Sequence, residues 1–392
     1  MDTMELVKAQ EQEMIQMRRH IHQNPELSNQ EFQTTKLIQE KLTEYGVEIA
    51  DIGLKTGVVG VLKGRFPGKT LAIREDIDAL PMKELTGLPF ASASDGVCHS
   101  CGHDIHTTVL LYTAKILSAL KDELHGNVMF LFQPAEENGS GAKQLIDCGF
   151  DKVLKPDAFV GLHVAPKLNA GCIGLKDGAA SASSDMFQIR VTGKGGHGAH
   201  PENCVDPIMI SAYILTQLQT IVSRENHPIH PAVLTVGSIH GGQANNVIPD
   251  YVEMGGTLRS LEPESRQAMQ EAIDRITVSC AEAMRGKAEV TWNKGMPPLV
   301  NDTPIVDGIR AAAQKLLPAD AIKTIADPSL GSEDFSYLFP AYGPGAQFSL
   351  GCGNDSDPNT RHGLHNSKNV FDEGCLAVGT AVLVQYARDF LG

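Results

Sequence analysis

The segment His99-Ser100-Cys101-Gly102-His103-Asp104-Ile105-His106 gathers three histidines, a cysteine and an aspartate within eight residues. Thiolate and imidazole suit zinc-like ions, and carboxylates extend the choice toward manganese. Gly102 removes side-chain bulk where the chain must bend to bring Cys101 and His103 onto one ion. Cys98 and Cys101 also have the C-x-x-C spacing of a redox pair. A redox pair has no use for three interleaved histidines, so the segment reads as metal-binding.

Such ligands need elements to bring them together. Val58–Leu62, Thr70–Ile73, Val128–Phe132 and Phe159–Leu162 are short apolar or β-branched runs that read as buried strands. Thr107 to Leu120 is apolar right round, as expected of a helix packed on a sheet, and residues 5–45 read as helical with a break at Asn24-Pro25. The expected class is α/β, with a largely parallel central sheet and helices on both faces. Asp76 and Asp78 follow one strand, Glu136 and Glu137 another, and His163 closes a third. Ligands of open α/β sheets bind beyond the carboxyl ends of the strands, where these groups would converge.

The middle of the chain reads differently. Strands at Met186–Val191, Ala232–Ser238, Val252–Leu258 and Ala288–Trp292 alternate with helices at Pro207–Val222 and Glu264–Met284. This is the β-α-β-β-α-β order of a ferredoxin-like domain. Afterwards Pro304–Leu317 reads as a helix, Gln347–Leu350 as a strand and Val370–Phe390 as a last helix. The expected organisation is a metal-binding catalytic domain at 1–180 and 294–392, interrupted by an inserted lid and dimerisation domain at 181–293.

With 33 basic and 47 acidic residues the net charge is -14, which argues against nucleic acid or an anionic membrane as main partner. Eight irregularly spaced cysteines in 392 residues do not make a disulfide framework, so a reducing, cytoplasmic setting is expected. Met1 to Glu5 lacks the pattern of a signal peptide. No apolar run approaches the ~20 residues that span a bilayer.

Eight motifs in order give the chain a resemblance to the aminoacylase and carboxypeptidase family of metallohydrolases. They are Arg18-Arg19-His20-Ile21-His22 with Pro25-Glu26-Leu27, Arg74 to Pro81, the Cys-Gly-His-Asp run, and Gln133 to Glu137. Then come Gly193 to His197, Asn246 to Pro249, Gly331 to Phe335 and His362 to Asn366. The chain looks most like the branch of N-acyl-amino-acid amidohydrolases, hippurate hydrolases and auxin-conjugate hydrolases.

The resemblance implies that Cys101, His103, Glu137, His163 and His365 hold two divalent metal ions, manganese or zinc foremost, with cobalt or nickel as options. It implies that Glu136 is the general base. Neighbouring side chains of an extended chain point to opposite sides, so Glu136 and Glu137 are expected to do different jobs. The carboxypeptidase branches place a metal-binding histidine two residues before an aspartate, where this chain has Arg74, which stays protonated and does not ligate metals. Asp76 is then expected to orient a ligand histidine. His197 matches a histidine that reaches the active site of a neighbouring subunit, and Asn246 and Arg259 match substrate-binding residues of the lid. Arg259 would grip an α-carboxylate.

The implied function is hydrolysis of the amide bond of a small N-acyl amino acid, in a homodimer or higher homo-oligomer. N-acetyl-diaminopimelate deacetylation and cleavage of dipeptides or aminobenzoyl-glutamate are alternatives within the class. A non-catalytic binding protein would need no base such as Glu136, and a Cys98–Cys101 redox protein is the most distant alternative.

Overall fold

The computed structural model describes residues 2–392. The chain divides into two compact units, one of residues 1–178, 300–327 and 334–392, the other of 179–299 and 328–333.

The first unit is built on an eight-stranded mixed sheet. From edge to edge its strands are Glu48–Ala50, Val58–Lys63, His125–Gln133, Phe66–Asp76, Ala158–Asn169, Gly345–Gly353, Ile173–Leu175 and Ile322–Thr324. The four consecutive strands from His125–Gln133 to Gly345–Gly353 are mutually parallel. The first three of them lead to or carry the candidate site residues. Val58–Lys63 instead pairs antiparallel with His125–Gln133. Val128 to Phe132 has no residue more than marginally exposed, which explains its unbroken apolar sequence. Each large apolar side chain so buried contributes roughly 1.5–3 kcal/mol.

Helices His103–Ala119 and Cys375–Leu391 pack on each other in this unit. The first starts four residues before the expected Thr107, so His103 is its opening residue. Gly102, just before it, has φ 87°, and a Cβ there would lie 2.5 Å from Val164 Cγ2. Both the left-handed backbone and the close approach require glycine. The last helix begins at Cys375 rather than Val370, because Asp372 Oδ1 accepts from Gly374 N–H and holds a turn ahead of it.

The second unit is a four-stranded antiparallel sheet in the order Ala232–Gly241, Tyr251–Ser260, Asp185–Thr192, Lys287–Asn293. Helices Pro207–Thr220 and Pro263–Ala283 pack with it. Alternate residues of Asp185–Thr192 are buried, with Phe187, Ile189 and Val191 meeting Ile210, Ile214 and Ile273 in a separate core. The strand order and alternating helices are those of a ferredoxin-like fold. Among the described residues, no helix is long and apolar enough to cross a membrane.

A buried ionic network ties helix Glu11–Gln23 to the rest of the first unit. Arg18 Nε donates to Asp104 Oδ2 at 2.7 Å, His22 Nδ1 lies 2.8 Å from the same oxygen, and His22 Nε2 is 3.2 Å from Glu84 Oε1. Burial alone would raise Glu84, but hydrogen bonds from His22, Thr86 and Ser92 N–H draw it down to about 2. A carboxyl with a depressed folded-state pKa stabilises the fold above its ordinary value of 4.5, and the contribution disappears as pH falls toward 2. Glu84→Gln is therefore expected to melt below wild type at pH 7, with the gap shrinking below pH 4.5. Melting curves from pH 7 to 3 check this; an unchanged gap at pH 3 would contradict the assignment.

Candidate metal centre

The centre is assembled at the carboxyl ends of the parallel strands. Phe66–Asp76 leads to Asp78, His125–Gln133 leads to Glu136 and Glu137, and Ala158–Asn169 carries His163 within it rather than at its end. Cys101 and His103 come from the turn into helix His103–Ala119. His365 arrives on the loop before the last helix, with a left-handed φ of 61°. His365 N–H donates to Ser100 O at 3.2 Å, which sets the two ligand-bearing loops against each other.

The donor atoms of Cys101, His103 and His163 lie within 4.8 Å of one another, as do those of Cys101, Glu137 and His365, and of His103, Glu136 and Glu137. Cys101 Sγ is 3.6 Å from His163 Nε2, and His365 Nε2 is 3.3 Å from Glu137 Oε2. All five sequence-expected ligands and Glu136 thus meet in one place.

The far sides of the His103 and His163 imidazoles are spoken for. His103 Nδ1 donates to Asp78 O at 2.9 Å and faces Asp78 Oδ1 at 3.2 Å, while His163 Nδ1 donates to Val164 O at 3.0 Å. These bonds fix the tautomers that present Nε2 inward. His103 Nε2 and Glu137 Oε1 are buried without a hydrogen-bond partner among the described residues. Buried polar atoms left so are costly, and a cation between them would satisfy both. The donor set of one thiol, imidazoles and carboxylates fits two zinc- or manganese-like divalent ions.

Asp78 is the residue that sequence reasoning undervalued. Besides His103, its Oδ2 accepts from Glu137 N–H at 3.1 Å and from Ser28 Oγ–H at 2.7 Å. Asp76 instead lies 2.6 Å from His106 Nδ1 and 3.6 Å from His103 Nε2. His106 Nε2 accepts from Val164 N–H at 3.0 Å, so neither of its nitrogens is available to a metal. The signal for Asp78 was its own motif: Asp76 and Asp78 are two apart on an extended chain, and only the distances separate their tasks.

Arg74 is fully buried, donating from Nε to Gln133, from Nη1 to Asp76 and from Nη2 to Asp334 at 2.8–3.0 Å. Burial disfavours a charged Asp76, yet His103, His106 and Arg74 together hold it well below the usual carboxylate range. Burial likewise works against a charged His103, and Asp76 and Cys101 overcome it and raise its pKa. The pocket is one that attracts positive charge. Burial, with Glu84 nearby, pushes the Cys98 thiol up to about 11, and all eight cysteines are free, which is unlike a reactive redox pair.

In the other unit, exposed His197 lies in a two-residue strand paired with Val247–Ile248, and Gly198 N–H donates to Asn246 O at 2.8 Å. His197 and Asn246 are thus brought together. Arg259 stands on Tyr251–Ser260, with Nη1 donating to Leu330 O at 3.3 Å.

This fold, with such donors beyond its parallel strands, defines the class of α/β metallohydrolases. The chain belongs to peptidase family M20/M25/M40, whose pattern matches residues 72–389. It is 41% identical over 384 residues to the N-acetyl-L-cysteine deacetylase of Bacillus subtilis, covering 97% of this chain and 89% of that one. It is 36% identical over 388 residues to the N-acetyldiaminopimelate deacetylase of Lactobacillus acidophilus, covering 97% and 99%. A crystal structure from Bacillus subtilis, described as a dinuclear metal-binding peptidase of the M20 family, superposes with a TM-score of 0.84 at 37% identity over 98% of this chain and 99% of that one. The protein is a metal-dependent hydrolase of amide bonds with a site for two divalent ions.

Replacing Asp78 by Asn puts an amide N–H against the groups that now donate to it. Asp78→Asn is expected to weaken divalent-metal binding about 10–100-fold, the usual effect of losing a group that holds a ligand. Titration of metal-free protein measures it, and an unchanged affinity would remove Asp78 from the centre.

Proposed function

We propose that the protein hydrolyses N-acyl amino acids, releasing a carboxylic acid and a free amino acid. The observation that carries this reading is the buried convergence of Glu136 with His103 and Glu137, beside Cys101, His163 and His365. A binding protein needs the ligands but not a second glutamate among them. Cys101, His103, Glu137, His163 and His365 would hold the two ions, manganese or zinc. When bound, these supply Lewis acidity to the scissile carbonyl and acidify a water enough for deprotonation near neutral pH.

Glu136 takes the proton of the attacking water and hands it to the leaving amine. Asp78 keeps His103 and Glu137 in register, and Asp76 holds His106 beneath them. The His197 Nδ1 accepts from Ala199 N–H at 3.1 Å, which leaves Nε2–H as its outward donor. That donor suits the carbonyl oxygen as negative charge develops. Asn246 and Arg259 bind the amino-acid part, Arg259 through the α-carboxylate. The N-acetyl-diaminopimelate alternative is supported by the name of one relative. Free cysteines support a cytoplasmic setting.

The inserted unit, 181–293 in its sequence reading, serves as lid and dimerisation domain. Strand Ala232–Gly241 is an edge of its sheet, with Val233 and Ile239 exposed, and helix Pro207–Thr220 exposes Ile208, Met209 and Tyr213. Pairing two such edges across a two-fold axis would cover both. His197 would then complete the partner's site.

A metal-reloaded enzyme assayed on N-acetyl, benzoyl, indole-acetyl and diaminopimelate substrates tests the substrate class, and no hydrolysis of any N-acyl amino acid would defeat it. Glu136→Gln is expected to bind metal normally while losing at least ~10²–10⁴-fold in kcat, and Glu137→Gln to lose metal instead. Wild-type turnover by Glu136→Gln would refute the base.

Mixing inactive Glu136→Gln with inactive His197→Ala protein tests the partner's histidine. Each mixed dimer holds one site with an intact base and an intact His197, so about a quarter of all sites should recover after full exchange. No recovery despite demonstrated exchange would place His197 in its own chain's site or outside catalysis.

A further inference from the structure

Ala135 has φ 53°, in the left-handed region, and is completely buried immediately before Glu136 and Glu137. Glycine is the ordinary occupant of such a position, because a Cβ makes it unfavourable. An alanine there must be held by its surroundings. Its carbonyl accepts from Ser140 N–H at 3.2 Å and Gly141 N–H at 3.1 Å, both within the same turn. Its N–H donates at 2.8 Å to Oε1 of Glu31, a side chain 104 residues away that is itself fully buried.

Glu31 lies in the turn that continues the Pro25-Glu26-Leu27 motif, to which no chemistry has been assigned. That turn meets the metal centre at two further points. Ala79 N–H donates to Glu26 O at 2.8 Å, and Ser28 donates to Asp78. Residues 26–31 therefore touch both backbone arms of the centre, the one bearing Asp78 and the one bearing the two glutamates.

We infer that Glu31 is a positioning residue: its carboxylate oxygen, bonded to the Ala135 N–H, locks the left-handed turn that sends Glu136 and Glu137 to different tasks. If the turn relaxed to an ordinary φ, the direction of both following side chains would change. The base and the metal ligand would be misplaced together. The inference rests on the roles proposed for Glu136 and Glu137. Burial raises the Glu31 pKa, and its oxygen accepts the Ala135 N–H whether or not the other is protonated. What matters is the acceptor rather than the charge.

Four variants test this: Glu31→Gln, which keeps an acceptor oxygen and the volume; Glu31→Leu, which keeps only volume; Ala135→Gly, which removes the penalty of the left-handed turn; and the combination Glu31→Leu/Ala135→Gly. Metal-free protein is titrated with Mn²⁺ alone, and kcat and KM are measured on an N-acetyl amino acid. Glu31→Leu is expected to bind Mn²⁺ about 10–100-fold more weakly and to lose kcat by a similar factor at unchanged KM. Glu31→Gln should match wild type, and Ala135→Gly added to Glu31→Leu should recover most of both losses.

Wild-type Mn²⁺ affinity and kcat in Glu31→Leu would overturn the inference, as would a loss in Glu31→Gln equal to that in Glu31→Leu. So would an equal loss in the alanine and glycine backgrounds. If Glu31→Leu alone does not fold, the combined variant decides: it should fold and bind Mn²⁺ nearly as wild type, and its failure to fold would overturn the positioning role. The Mn²⁺ titration needs no substrate. Absence of amide hydrolysis by the wild type would therefore defeat the proposed activity and leave the Glu31 result readable.

Discussion

Asp78 is the joint on which the centre depends. One small carboxylate, with its own backbone carbonyl, faces a helix-borne imidazole, the N–H of a glutamate beyond a neighbouring strand and a serine of the N-terminal turn. Helix, strand end and loop are thereby referred to a single group. Its position is fixed in turn by backbone bonds, from Ile77 N–H to Gln133 O and from Ala79 N–H to Glu26 O. The parallel sheet brings the pieces near each other; Asp78 brings them to bonding distance.

Such a joint works only on a stiff base. Strands His125–Gln133, Phe66–Asp76 and Ala158–Asn169 are nearly solvent-free through their central residues, and the helix that starts with His103 is buried along most of its length. Close packing leaves few alternative positions for these elements. The candidate ligands can then emerge from turns and still be held closely. Both non-glycine left-handed residues at the centre, Ala135 and His365, lie on such turns. Backbone strain of this kind clusters at functional sites where the surroundings over-determine it.

The α/β class and the cluster at Cys101–His103 were legible because each leaves a local trace in sequence. Buried parallel strands read as unbroken apolar runs, the ferredoxin-like sheet as alternation, and the candidate metal ligands as unusual residue density. What was not legible depends on three-dimensional partners. His103 and His106 look equivalent on paper, but the Val164 N–H removes His106 from the donor set. Asp76 and Asp78 are equally good candidates until one is found against His106 and the other against His103. The short strands Ile173–Leu175 and Ile322–Thr324 carry too few residues for any periodicity, and segment 328–333 groups with the second unit through folding alone.

Arg74 shows how the charge of this pocket is divided. It is a permanent cation at a fully buried strand end, and Asp76 and Asp334 each accept one of its N–H groups. Those two acids are thereby compensated by the protein itself, as buried charges must be. Asp78 instead faces His103 and accepts from Glu137 N–H, and Glu137 Oε2 lies 3.3 Å from His365 Nε2. The charge of these carboxylates is left to the histidines and to whatever cations the site admits, while burial raises the pKa of the Cys101 thiol beside them. Arg74 thus neutralises the acids at its own strand end, while the Cys101-Gly102-His103 turn brings a thiol and an imidazole to Glu137.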